Sequence, residues 1–152
     1  MKRVLTFGTF DIFHYGHLKI LERAAKYADE LIVGISSDKL NFNKKGRTPV
    51  YSEDERMKII SSLNFVDDVF LEESLELKKE YLLKYDADML IMGDDWAGKF
   101  DELSDVVDVL YLPRTEDIST TQTKVAMSKI NEERKFELRN LLEHLGEIIN
   151  KM

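Results

Sequence analysis

The sequence predicts an α/β fold, a parallel sheet with helices on both faces and an added helix at the C-terminus. Three observations carry this. Short apolar runs recur that are continuous rather than alternating, the mark of strands buried on both faces. Helical stretches separate them, long enough for each strand to return parallel to the last. The loops after several of these runs carry glycine, histidine, lysine, aspartate and hydroxyl residues, and in such sheets ligands bind beyond the carboxyl ends of the strands.

Arg3–Phe7 is a short apolar run stopped by Gly8 and reads as the first strand. Leu18, Ile20, Leu21, Ala24, Ala25 and Ala28 then mark one side of a helix over about residues 17–28. Glu30–Ile35 is a second buried strand. Residues 36–50 are polar, with Lys39, Lys44, Lys45, Gly46, Arg47 and Pro49, and read as a long loop of the kind that is usually functional or mobile. Ser52 with Glu55 forms a capping box that opens a helix through about Leu63. A strand at Asp68–Leu71, a helix over Ser74–Tyr85 and a strand at Met89–Met92 follow. The last of these runs into Gly93-Asp94-Asp95-Trp96. Asp108–Tyr111 is the fifth strand. Beyond Pro113 a polar turn leads to a helix over about Thr121–Ile130, and a final one covers about Glu132–Ile149, with an apolar stripe through Phe136, Leu138, Leu141, Leu142, Leu145, Ile148 and Ile149, interrupted at Gly146, that either packs on its own domain or makes a dimer contact.

The composition narrows the function classes. A chain of 152 residues, 43% hydrophobic and 34% charged, is globular and buries a core without staples. Without cysteine there is no disulfide framework, thiolate nucleophile, Cys-type zinc site or iron–sulfur cluster. The net charge of −7 has the wrong sign for holding nucleic acid by its phosphates. No apolar stretch reaches a membrane span of roughly 20 residues, and the first residues lack a signal peptide's apolar run, so the expected location is the cytoplasm. An anionic small molecule remains open, bound at a local cluster of donors.

Four loops supply such donors. In Gly8-Thr9-Phe10-Asp11-Ile12-Phe13-His14-Tyr15-Gly16-His17, a glycine ends the strand and lets backbone N–H groups approach a ligand. His14 and His17 open a helix, where free N–H groups and the dipole already favour an anion. Two surface histidines beside a cap are the plainer alternative. In the second loop Lys44, Lys45 and Arg47, with Arg56 beyond, concentrate positive charge, and Lys44 or Lys45 is a candidate phosphate clamp. In the third, Asp94 or Asp95 either contacts ribose, base or magnesium or only caps a turn, and Trp96 reads as packing. The fourth, Arg114 followed by Ser119, Thr120 and Thr121 at a helix start, suits a phosphate cradle as well as an N-cap.

Together these segments resemble the cytidylyltransferases of the H-x-G-H nucleotidyltransferase superfamily. GTFDIFHYGH is similar to the first family motif and RTEDISTT to its R-T-x-G-I-S-T-[ST] motif. MGDDWAGKFD with YLPRTE resembles the glycerol-phosphate branch. The resemblance runs from Met1 to about Ile130. It implies a Rossmann-like catalytic domain over 1–130 and a helical extension over 131–152. It further implies transfer of CMP from CTP, with Mg2+, to a small alcohol phosphate such as glycerol 3-phosphate, giving CDP-glycerol and pyrophosphate for teichoic-acid or capsule-type polymers, in a homodimer. His14 and His17, with Lys44, Lys45 and Arg114, take the catalytic places. Gly8, Thr9, Phe10, Asp11, Asp94, Arg114, Ser119, Thr120 and Thr121 take the nucleotide, and Lys44, Lys45 and Arg56 the acceptor, with no direct protein ligand to a metal.

Two departures stand out. Asn64 occupies the place of a family arginine expected in the acceptor region, and Asp117 that of a glycine in the second motif. The alternatives are another polyol phosphate such as glycerol 2-phosphate, an adenylyltransferase such as FAD synthetase, and a CTP-binding regulatory module without turnover.

Overall fold

The computed structural model describes residues 1–114 and 120–151, side chains excepted at 120–123. The chain divides into two compact units, Met1–Asp117 and Ile118–Met152. In the first unit, β1 (Arg3–Gly8), β2 (Glu30–Ser36), β3 (Asp68–Glu72), β4 (Met89–Gly93) and β5 (Asp108–Leu112) form one sheet of order β3-β2-β1-β4-β5. Every pairing is parallel, with Thr6 level with Val33 on one side and Ile91 on the other. The chain winds outwards from β1 through β2 to β3, then crosses back to β4 on the other side of β1 and on to β5. That reversal opens a crevice beyond the carboxyl ends of β1 and β4, where a ligand can reach the loops.

The period-2 geometry of a strand sends successive side chains to opposite faces, and both faces are apolar here. Val4, Leu31, Val33, Ile35 and Ile91 join Leu21 and Ala24 of α1 (Tyr15–Ala25) and Ile60 of α3 (Glu53–Ser61) on one side. Leu5, Phe7, Ile32, Leu90 and Met92 join Leu82 of α4 (Lys78–Lys84), and Phe100, Leu103 and Val107 of the segment before β5, on the other. Continuous apolar runs were therefore the right strand signal, because neither face of this sheet meets water.

The helices differ more from expectation. The polar stretch 36–50 is not all loop: α2 (Asp38–Lys45) occupies its first part, capped by the Ser37 side chain on the Leu40 N–H and ended by Gly46 at φ +72°. α1 begins at Tyr15 rather than near residue 17, because its N-cap is a histidine. The stretch 74–85 is a short 3-10 turn (Leu75–Leu77) before α4. In the second unit α5 (Thr120–Asn150) is a single helix, not two. Asn131, which looks like a break, costs a helix interior only a few tenths of a kcal/mol. Among the described residues no helix is long and apolar enough to cross a membrane.

Gly34, in the middle of β2, shows how tightly the second face is filled. A Cβ there would lie 2.5 Å from the Phe7 ring and 2.8 Å from that of Phe70, and those two rings meet edge to face at 5.6 Å. Gly34→Ala should lower unfolding stability by about 1–3 kcal/mol, read as a lower urea midpoint at unchanged slope. An unchanged midpoint would refute this packing.

Candidate active site

The loop after β1 is held by contacts within the protein. Phe10 and Ile12 both lie in the left-handed region, at φ +54° and +47°, a conformation costly for such side chains unless the surroundings enforce it. One enforcing contact is visible. The Phe10 ring turns back over Gly8, where a Cβ would stand 2.8 Å from it. Gly8 is thus needed to make room for the Phe10 ring. Asp11, almost fully buried, accepts the N–H groups of Ile12, Val50 and Tyr51 at 3.1, 2.8 and 2.9 Å. Its carboxylate ties the first loop to the chain entering α3.

Arg56 completes the junction. Its side chain is 0% exposed, and it donates to the carbonyls of Tyr51, Thr9 and Ser36 at 3.1, 2.8 and 2.8 Å and to Asp38 Oδ1 at 2.8 Å. The expectation that Arg56 meets the acceptor is not what the geometry brings about, since its donors point at the protein. Thr9 is held by the same group and also donates at 3.0 Å to Oδ1 of Asn41, which is buried. Asn64 lies in the turn leading into β3, at the opposite edge of the sheet from these loops.

On this base stand the two histidines. His14 is the N-cap of α1, and its Nδ1 accepts the Gly16 N–H at 3.0 Å. The His14 N–H donates in turn to Nδ1 of His17 at 3.3 Å. This is a capping box built from imidazoles instead of serine and glutamate. The rings stack with centroids 3.8 Å apart, and Phe10 and Phe13 flank His17 at 5.6 and 5.7 Å. With each Nδ1 accepting a backbone N–H, a neutral ring carries its proton on Nε2. The helix start therefore offers two Nε2–H donors.

The rings are held neutral. Burial pushes His17 down to about 4, with His14 adding to the effect and Asp11 opposing it. Burial and then the Arg114 guanidinium lower His14. Arg114, just after β5, is exposed, and its Nη1 lies 3.8 Å from Asp95 Oδ1. Asp94 and Asp95, both exposed, form the turn at the end of β4 with Trp96. The structure thus gathers His14, His17, Arg114 and the β4 turn at the carboxyl end of the sheet. Ser119 lies outside the described residues, as does Asp117, and so do the side chains of Thr120 and Thr121.

The lysine expectations resolve unequally. Lys44 and Lys45 sit in the last turn of α2. Both are exposed, and partial desolvation lowers Lys44, with Glu72 opposing. Its Nζ stands 5.8 Å from the Trp96 ring centroid, and Lys99 Nζ 5.3 Å. Trp96 packs on Phe100 at 5.4 Å, as the packing reading expects. Beneath them is a pair the sequence does not reveal. Lys78 Nζ meets Glu72 Oε2 at 2.5 Å, both all but fully buried, with Lys78 4.2 Å from the Phe7 centroid and 4.9 Å from that of Phe100. The only trace in the sequence is a glutamate ending an apolar run and a lysine opening a helix, which equally describes solvated charges.

Comparison with known proteins agrees with this geometry. The family model described as Cytidylyltransferase-like matches residues 5–126. A glycerol-3-phosphate cytidylyltransferase of Bacillus spizizenii is 46% identical over 130 residues, covering 86% of this chain and 100% of the relative. An FAD synthase of Pyrococcus abyssi is 36% identical over 93 residues, 61% of this chain and 63% of the relative. Among solved structures, a lipopolysaccharide core biosynthesis protein of Thermoplasma volcanium has a TM-score of 0.65 at 27% identity, over 76% of this chain and 99% of that one. A family match across most of the chain, on a parallel sheet whose first loop and helix carry the paired histidines, has one reading: the chain belongs to the cytidylyltransferase-like family.

Proposed function

We propose that this protein transfers CMP from CTP to glycerol 3-phosphate, forming CDP-glycerol and pyrophosphate. The observation that carries the reading is the capping box of His14 and His17 at the N-terminus of α1, beside the crevice between β1 and β4, in a chain of this family. A phosphate oxygen of the acceptor attacks the α-phosphorus in line. The bond from that phosphorus to the bridging oxygen breaks, and pyrophosphate leaves with the electron pair. The nucleophile is already an anion, so no general base and no covalent enzyme intermediate is needed. The residues position the groups and stabilise the negative charge that develops on the phosphoryl oxygens.

His14 and His17 donate to those oxygens as neutral imidazoles and do not exchange a proton during the reaction. Arg114 and Lys44 supply full positive charge from the two sides of the crevice, and Asp94 contacts the nucleoside. Arg56 and Asp11 act through the loops they hold. Mg2+, if brought by CTP, would be held chiefly by the nucleotide phosphates and would supply charge neutralisation for the leaving pyrophosphate. The exposed carboxylates of Asp94 and Asp95 beside the crevice are compatible with a cation brought by the nucleotide. CDP-glycerol would serve as an activated donor for a teichoic-acid or capsule-type polymer in the cytoplasm. A homodimer is the assembly carried over from the resemblance.

Pyrophosphate release with Mg2+ and glycerol 3-phosphate should be at least tenfold faster with CTP than with ATP, and glycerol 2-phosphate should replace the acceptor poorly. Faster release from ATP with a flavin acceptor would overturn the reading. Tight CTP binding with no turnover on any alcohol phosphate would replace it with a regulatory module.

His14→Asn keeps an N-cap acceptor but loses the second ring nitrogen. It should lower kcat by about 10²–10³-fold at a nearly unchanged urea midpoint, and His17→Ala should lower kcat comparably.

The neutrality of His17 also fixes a pH dependence. Its pKa is about 4 in the fold against 6.5 in the unfolded chain, so between those values the unfolded chain binds more protons. The stability contributed by neutral His17 is complete above pH 6.5 and is lost as pH falls towards 4, by at most about 1.4 kcal/mol per pH unit. His17→Asn should flatten the urea midpoint over that window, and an equal slope in both proteins would contradict the assigned neutrality.

A further inference from the structure

Arg114 reaches the crevice from an exposed position, and its own side-chain contacts do not fix it there. The side chain is 61% exposed and meets Asp95 at 3.8 Å, and an ion pair so open and solvated holds little. Its place is set by the backbone that carries it. Leu112, level with Gly93, is the last position of the β4–β5 ladder. Pro113 follows and, lacking an N–H, cannot extend that ladder. The proline ring also fixes φ. One torsion, ψ of Pro113, therefore decides where the planar peptide carries the nitrogen and Cα of Arg114.

Arg23 holds that torsion. It stands in the last turn of α1 and donates from Nη1 to the Pro113 carbonyl at 2.9 Å, across 90 residues of sequence. Fixing the carbonyl oxygen fixes the peptide plane, and with it the start of Arg114. Glu22, beside Arg23, pairs with Lys19 at 3.4 Å, so the guanidinium serves the backbone of a distant loop rather than its neighbour's carboxylate. One turn earlier on the same face, Ile20 fits against the end of β4, where a Cβ on Gly93 would stand 3.5 Å from its Cδ1. A single helix thus carries the imidazole of His14 at its start and the anchor of the Arg114 backbone in its last turn. The two groups come close enough for the Arg114 guanidinium, after burial, to lower His14. We infer that Arg23 is a positioning residue of the nucleotide site, holding the Pro113 carbonyl so that Arg114 stands beside His14 and faces the nucleotide phosphates. The contact with phosphates rests on the proposed function; the placement of Arg114 does not.

The test compares the full chain with Arg23→Met, Arg23→Gln, Arg23→Lys, Arg114→Met and Arg23→Met/Arg114→Met. Position 23 is half-buried, and methionine and glutamine are good helix formers, so α1 should still wind. With glycerol 3-phosphate saturating, kcat/KM for CTP should fall about tenfold in Arg23→Met and Arg23→Gln. Arg23→Lys, which keeps the charge and a donor, should stay within about threefold of the wild type. In the Arg114→Met background, Arg23→Met should cost less than about twofold more, because the group it positions is gone. A residue that only supported the fold would lower both backgrounds by the same factor. Without nucleotide, the His14 imidazole followed by NMR should titrate at higher pH in Arg114→Met and likewise in Arg23→Met. Losses that multiply, or a His14 titration that Arg23→Met leaves in place, would overturn the inference. If the wild type itself does not turn over CTP, the proposed function fails, and the His14 titration alone still decides whether Arg23 places Arg114.

Discussion

A guanidinium without solvent contact stays charged only because protein oxygens replace the water it has lost. Arg56 is in that position, and the oxygens it reaches belong to the loop after β1, the loop after β2 with the start of α2, and the chain entering α3. Asp11 closes the same junction from the other side with three backbone N–H groups. The two side chains thus fix three segments at the carboxyl edge of the sheet through contacts within the protein. The left-handed Phe10 and Ile12 and the start of α1 inherit their positions from this tie, and with them the two histidines. Breaking one partner of a buried, hydrogen-bonded charge typically costs about 3–5 kcal/mol, so the site geometry and the stability of this end of the fold rest on the same contacts.

The electrostatics of the crevice also differ from a simple positive pocket. Its two central donors are neutral, and one of its cations, Lys78, is consumed by Glu72 beneath aromatic rings. The remaining charge comes from Arg114 and Lys44, both exposed. An acidic chain can therefore hold a polyanion without a dense cationic surface, because short-range hydrogen bonds at a helix start do part of the work. The net charge of −7 describes the outside of the molecule and says little about this crevice.

The sequence shows the strands clearly, because a sheet buried on both faces leaves continuous apolar runs. The histidines were equally legible, standing after a strand and a glycine in a motif-bearing loop. α2 was not: only Leu40 and Asn41 of it are buried, so no apolar stripe marks it, although Ser37 and Gly46 bound it as cap residues should. The start of α1 was displaced because histidine is not among the usual N-cap residues. The role of Arg56 stayed hidden for a different reason. Nothing in a lone sequence separates a guanidinium that faces substrate from one that bonds three carbonyls behind the site. The Glu72–Lys78 pair is hidden for the same reason, since burial of an ion pair is a property of what closes over it.

The imidazole capping box ties ring orientation to the first turn of α1. When that turn frays, the backbone N–H groups that hold each Nδ1 are released, and both rings lose their alignment together. A phosphate bound to the Nε2 side resists the same opening, because it binds only the aligned pair. Under the proposed function, nucleotide occupancy and the winding of one helical turn would then be a single coupled equilibrium. Slowed amide exchange at Gly16 and His17 would report the bound nucleotide as directly as any contact to the base.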